Sequence, residues 1–290
     1  MRIIPNADST RMFSTLISAA ELAGHLDDPA WIIFDCRHDL ADPGAEAHAY
    51  AAGHIPGARH LHLDHDLAGR TVGGNGRHPL PLRDAFVAML RVAGVSNESQ
   101  VVAYDAQGGI FASRLWWMLR WVGHEAVAVL DGGMNRWRRD RLPLSQAVPA
   151  PLPGNLEDRA GATSVDAAFV EARLGSLGWR LIDARNPERF RGENETLDPV
   201  GGHIPGSINR FFKDNLDNTG CFKSPAQLRA DFLLVLGDTA GRDAVHTCGS
   251  GVTACHNLLA MEIAGLSGSR LYPGSWSEWC ADPGRPVARG

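Results

Sequence analysis

Ala244-Val245-His246-Thr247-Cys248-Gly249-Ser250-Gly251-Val252-Thr253 begins as a β-prone run, turns through two glycines and opens the apolar helical stretch Thr253 to Ala264. A strand that feeds a helix through a tight loop is the unit of a parallel α/β sheet, and such sheets place their sites at the carboxyl ends of strands. The glycines let successive N–H groups point inward, and the helix N-terminus adds partial positive charge. Both favour the thiolate at Cys248, and the thiolate is the nucleophile. A free cysteine is usually a small buried hydrophobe. Here the polar loop and the following helix assign Cys248 to catalysis instead. Gly249, Ser250, Gly251, Val252 and Thr253 are then expected to bind substrate, with Ser250 placed to hydrogen-bond substrate or sulfur. Thr253 also suits the helix N-cap.

Outward from this loop the chain repeats itself. Val101-Val102-Ala103-Tyr104-Asp105 takes the place of Ala244 to Cys248, and Ile33-Phe34-Asp35-Cys36-Arg37 returns as Leu181-Ile182-Asp183-Ala184-Arg185. Gly53-His54-Ile55-Pro56-Gly57-Ala58 returns as Gly202-His203-Ile204-Pro205-Gly206-Ser207. Gly123, Gly132 and Trp137 match Gly265, Gly274 and Trp279 at one constant offset. Two copies of this length are two similar domains, not a solenoid. In each copy short apolar runs alternate with amphipathic helical stretches. The expected architecture is therefore α/β: two tandem domains, each a mostly parallel sheet flanked by helices. Strands are expected near Trp31 to Asp35, Val101 to Tyr104, Ala126 to Leu130, Leu181 to Asp183, Ala244 to Thr247 and Arg270 to Tyr272. The domains should span 12–145 and 163–290. Residues 143–162 hold four prolines, so the joining segment 146–162 reads as a stiff, extended linker. Asp105 stands at the place of Cys248 and cannot act as a sulfur nucleophile, so the first domain keeps the scaffold and the second carries the chemistry.

Composition narrows the partners. The chain has 290 residues, is 44% hydrophobic and 21% charged, and carries a net charge of −5. With no long basic run, nucleic acid is excluded as a partner. No apolar stretch reaches membrane-spanning length, and residues 1–11 lack the apolar core of a signal peptide. The five scattered cysteines at 36, 221, 248, 255 and 280 argue for reduced thiols in a cytoplasmic setting. No pair falls at zinc-ligand spacing, so neither a metal nor a cofactor is expected. Cys255 and Cys36 read as core. Arg185, Arg189 and Arg191 follow the strand ending at Asp183, on the same carboxyl edge as Cys248, where a guanidinium fork suits a carboxylate or sulfonate. Trp279 matches Trp137 and reads as core. Trp276 has no counterpart and is the candidate for a cleft wall. Because Gly-His-Ile-Pro-Gly occurs in both halves, His54 and His203 read first as turn residues, with a catalytic part for His54 if it faces the cleft between domains.

The two-fold repeat, the paired Gly-His-Ile-Pro-Gly motifs and the loop from Cys248 to Ala254 resemble the tandem-domain rhodanese (sulfurtransferase) family over nearly the whole chain. The resemblance implies an inactive N-terminal and a catalytic C-terminal rhodanese-like domain. It also implies ping-pong transfer: the cysteine takes a sulfane sulfur from a small donor, becomes a persulfide, and passes the sulfur to a thiol, thioredoxin-like or cyanide acceptor. The loop is similar to that of family members using 3-mercaptopyruvate, because residues 249–253 lack the basic side chains of the thiosulfate-using loops. Arg189 matches one of the family's donor-binding arginines. A second would fall between Glu193 and Asp198, and Asp198 stands at about its place. A proton relay implied by the resemblance maps to Ser250, His54 and, loosely, Asp42. Thiosulfate remains the alternative donor, and a non-catalytic persulfide-relay or binding protein the alternative class. A cysteine phosphatase would need a longer loop closed by arginine.

Overall fold

The computed structural model describes residues 12–39, 42 and 44–290. Among these residues nine strands form two sheets: β1 (Leu16–Ile17), β2 (Trp31–Asp35), β3 (Arg59–His60), β4 (Gln100–Tyr104) and β5 (Val127–Leu130) in one, and β6 (Arg180–Asp183), β7 (Ile208–Asn209), β8 (Ala244–Thr247) and β9 (Arg270–Leu271) in the other. The first sheet runs in the order β1-β5-β4-β2-β3, the second in the order β7-β6-β8-β9, and every pairing is parallel. Val101, Val102, Ala103, Ala244 and Val245 are wholly buried, as strands covered by helices on both faces must be. Equivalent registers confirm the repeat: Asp35 lies opposite Tyr104, and Asp183 opposite Thr247.

The Gly-His-Ile-Pro-Gly motif proves to be a latch, built twice. Arg37 forks onto Asp35 and donates to the Gly53 carbonyl at 3.1 Å; Arg185 forks onto Asp183 and donates to the Gly202 carbonyl at 2.8 Å. His54 Nδ1 bonds the Tyr50 carbonyl at 2.9 Å while its ring stacks on Tyr50. His203 does the same with the carbonyl and ring of Phe190. Gly57 and Gly206 turn the chain with φ of 78° and 79°, where a side chain would strain it.

The domains share one continuous core. The helix Ala112–Trp121, which follows β4, packs against the helix Thr253–Ile263, which follows β8. Leu115, Met118 and Leu119 join Cys255, Leu258 and Leu259 in the same buried cluster. No described helix is long and apolar enough to cross a membrane.

The segment expected as a stiff, extended linker is strapped onto the first domain. Gly154 N–H bonds the Arg91 carbonyl, Leu156 N–H that of Val95, Arg159 N–H that of Val122 and Ala162 N–H that of Arg120. Leu156 is buried, and Arg83 pairs with Asp158. A Cβ on Gly154 would fall onto the Val95 carbonyl, and one on Gly161 onto that of Arg120. Gly154→Ala should therefore destabilise the protein by about 1–3 kcal/mol, the usual cost of overpacking, read as a lowered thermal midpoint. An unchanged midpoint would show that the strap is not tightly seated.

Candidate active site

Cys248 follows β8 directly and is buried. Its sulfur accepts the Gly251 N–H at 3.1 Å. Gly251 has φ 78°, and a Cβ there would meet the Pro273 carbonyl, so only glycine presents that N–H to the sulfur. Behind the loop, the Cys248 N–H donates to Ser275 Oγ at 3.1 Å, and Ser275 Oγ–H donates to the Tyr272 carbonyl. Ser275 is left-handed, with φ 54°; its two hydroxyl bonds hold a conformation that costs a non-glycine residue of order 1 kcal/mol. The Trp276 and Ser277 N–H groups tie down the Cys248 and Gly249 carbonyls.

The first domain shows what this scaffold binds. Asp105 occupies the place of Cys248, and its carboxylate accepts N–H bonds from Gln107, Gly109, Phe111 and Ala112 at 2.8–3.1 Å. The strand-to-helix loop is an anion cradle, as expected where N–H groups converge at a helix start. Asp105 fills the first cradle with its own side chain.

The active loop meets a second set of groups across the domain interface. His78 Nδ1 lies 2.7 Å from Ser250 Oγ, and His78 Nε2 lies 3.1 Å from Asp64 Oδ1. Burial and the neighbouring Arg114 charge lower the His78 pKa to about 4, so the ring is neutral near pH 7. With its Nε2 proton on Asp64, its Nδ1 accepts the Ser250 hydroxyl proton. Above Gly249 stand two guanidinium groups, Arg77 from the first domain and Arg189 from the second, both close to where a Gly249 Cβ would project. Both also hold Asp198, Arg189 at 3.2 Å, and Arg189 forks onto Glu195 at 2.8–3.1 Å. Burial raises the Asp198 pKa, and Arg77 pulls against that rise.

A rhodanese-like domain model matches residues 18–140 and again residues 166–282. The chain belongs to the rhodanese family. A probable 3-mercaptopyruvate sulfurtransferase of Pseudomonas aeruginosa is 45% identical over 278 residues, which cover 95% of this chain and 98% of that protein. A putative thiosulfate sulfurtransferase, SseB of Mycobacterium tuberculosis, is 40% identical over 281 residues, 95% of this chain and 97% of that protein. Among solved structures, the 3-mercaptopyruvate sulfurtransferase SseA of Escherichia coli superposes with a TM-score of 0.80 at 32% identity, covering 92% of this chain and all of that one.

Against this rhodanese frame several expected site residues move. His54 is wholly buried and bonds the Tyr50 and Ala147 carbonyls through its two nitrogens; the partner of Ser250 is His78. Asp42 is exposed, its main-chain carbonyl receiving the Ala45 N–H, and the carboxylate behind the histidine is Asp64. Trp276 is not a cleft wall: it is wholly buried under Arg185, with its indole N–H on the Val200 carbonyl. Thr253 is the first helical residue, and Val252, with no side-chain bond, takes the N-cap. Arg77 and His78 lie in Arg70 to Pro81, a glycine- and proline-rich loop of the first copy without a like-sequenced partner in the second. Its length was the one available signal, since long loops with no structure of their own are commonly functional.

His38, Glu46 and His62 bring three ligand-type atoms within 4.8 Å of one another. His62 Nδ1 accepts the Asp64 N–H, which places the ring proton on Nε2, 2.9 Å from Glu46.

Burial raises the pKa of three of the other thiols. It pushes the Cys255 thiol up to about 12 and raises Cys36 and Cys280. At pH 7, limiting iodoacetamide should label Cys248 ahead of Cys36, Cys255 and Cys280, as read by peptide mass mapping. Equal labelling would remove the case for an activated thiolate.

Proposed function

We propose that this sulfurtransferase takes sulfane sulfur from 3-mercaptopyruvate onto Cys248 as a persulfide and passes it to a thiol or cyanide acceptor. The observation that carries the donor is the Asp64–His78–Ser250 chain beside the cysteine. The Cys248 thiolate attacks the donor sulfur, an S–S bond forms, and the donor's C–S bond breaks with its electron pair passing to the pyruvate enolate. The donor's thiol proton must leave sulfur and a proton must reach the enolate carbon. Ser250, with neutral His78 accepting its proton and Asp64 holding the ring, supplies that shuttle. The products are then pyruvate and an anionic persulfide, which the inward N–H groups of the loop stabilise. Thiosulfate leaves as sulfite, already an anion, and gives such a relay nothing to do. The relatives named for 3-mercaptopyruvate support the same reading.

The donor carboxylate belongs above Gly249, between Arg77 and Arg189, where Asp198 competes for both forks. The same two cations suit the sulfonate of thiosulfate, which makes that donor the second reading. The relay separates them. His78→Ala and Ser250→Ala should each lower kcat/KM with 3-mercaptopyruvate by about 10²-fold more than with thiosulfate. Equal losses with both donors would remove mercaptopyruvate as the favoured substrate. Cys248→Ser should abolish the gain of about 32 Da that one sulfur adds.

Charge at the donor site gives a further expectation with a definite sign. Protonating Asp198 frees Arg77 and Arg189, so KM for an anionic donor should fall as pH is lowered. Glu195, also on Arg189, acts in the same direction. Asp198→Asn should lower KM several-fold near neutrality and flatten this pH dependence, while Arg189→Ala and Arg77→Ala should each raise KM about tenfold. If Asp198→Asn left KM unchanged at every pH, the donor anion would bind elsewhere.

A further inference from the structure

The cradle around Cys248 is braced from the other domain. Arg114, on the helix after the silent Asp105 loop, is fully buried. Its Nη1 donates to the Gly251 carbonyl at 3.2 Å, Nη2 to the His78 carbonyl at 3.1 Å, and Nε and Nη2 to the Leu67 carbonyl at 3.3 and 3.2 Å. Every one of these acceptors is a neutral main-chain carbonyl. A guanidinium stays protonated even here, and a buried cation without a carboxylate is costly unless something nearby compensates it. Burial lowers its pKa, and the titratable groups it interacts with are the thiols of Cys255 and Cys248 and the imidazole of His78.

The repeat supplies an internal comparison. At the offset that relates Trp137 to Trp279, Arg114 corresponds to His256. Each reaches across the interface to the other domain's loop. Arg114 holds the carbonyl of Gly251, third after Cys248, and His256 Nε2 lies 3.0 Å from the carbonyl of Gly108, third after Asp105. The geometry is reciprocal, but the charge is not. Burial lowers the His256 pKa to about 4, so the group under the silent loop is neutral, and the group under the reactive loop is a permanent cation. Of the two cradles, only the one holding Cys248 must host an anion that appears and disappears during turnover.

We infer that Arg114 is a positioning residue through which the silent N-terminal domain stabilises the Cys248 thiolate and persulfide. It fixes the Gly251 carbonyl, and with it the residue whose N–H donates to sulfur. Through His78 it also sets the relay residue against Ser250. The inference rests on Cys248 being the sulfur carrier. Arg114 does not act alone on this thiol: Arg77, His78 and Asp64 face the loop from the first domain. Arg185, Arg189, Glu195, Asp198 and Cys255 face it from the second.

The test is the pH dependence of Cys248 alkylation in the full chain, read by peptide mapping, with sulfur uptake followed separately by mass. Arg114→Gln and Arg114→Met both remove the charge, and methionine leaves no donor unpaired, so at least one should fold. Either should move the alkylation midpoint up by about one pH unit. Arg114→Lys should restore most of that shift, because the charge returns even though the fork does not. His256→Gln should lower the thermal midpoint and leave the Cys248 profile in place. An unmoved profile in a folded charge-removing variant, or a lysine variant that behaves like glutamine, would overturn the inference and reduce Arg114 to a structural brace. If wild-type Cys248 took up no sulfur from either donor, the sulfur-carrier reading itself would fall, whatever the alkylation profiles showed.

Discussion

A ring of main-chain N–H groups closing on a negative charge at a strand end is the constraint on which this protein turns. Such groups cannot be buried unsatisfied without a cost comparable to a lost hydrogen bond. A loop that turns several of them inward therefore needs an acceptor at its centre. The first domain meets the need with the Asp105 carboxylate and four N–H donors. The second meets it with the Cys248 sulfur, which accepts the Gly251 N–H. One scaffold thus holds a carboxyl group in one copy and a thiol in the other. The left-handed Ser275 and the close approach of Gly251 to Pro273 hold the second loop to that shape.

The domains divide labour across their interface. The active loop belongs to the second domain, but His78, Asp64, Arg77 and Arg114 come from the first. The shared core of the two packed helices fixes the distance across which they reach. The strapped linker, bonded along the first domain from Gly154 to Ala162, leaves little slack between the halves. Both features let side chains of the domain without a nucleophile reach the loop that carries Cys248.

Much of this was legible in the chain, for local reasons. Strands β2 and β4 hold unbroken apolar runs, β6 and β8 stand at the equivalent places of the repeat, and each of the helices after β4 and β8 carries an apolar run, so pattern alone finds them. Cys248 and its loop are contiguous, and Asp105 marks the silent copy. What pattern could not find depends on long-range placement. The two-residue strands β1, β3 and β7 have no period to read. His78 meets Ser250 only because two domains dock, and the family resemblance maps that part onto His54, whose motif serves instead as a latch. Trp276 has no counterpart in the repeat, yet it packs beneath Arg185 as core. Asp198 was readable as a departure from the family pattern, but the Arg77 that grips it comes from the other half of the chain.

That departure bears on how the proposed donor site is charged. With Asp198 between Arg77 and Arg189, and Glu195 on Arg189, two guanidinium groups face two carboxylates. An arriving anion must therefore displace an internal partner and does not simply meet free positive charge. Displacement is feasible because burial already raises the Asp198 pKa, which makes its charged form the weaker holder of the pair. Such a site keeps its arginines paired and only partly exposed before the donor binds, so less side-chain freedom is lost on binding. It also exchanges one buried ion pair for another of similar geometry, which limits the net affinity of any anion at this position. On the proposed mechanism, discrimination between donors is left to the step after binding, where a mercaptopyruvate carbon must be protonated and a sulfite need not be.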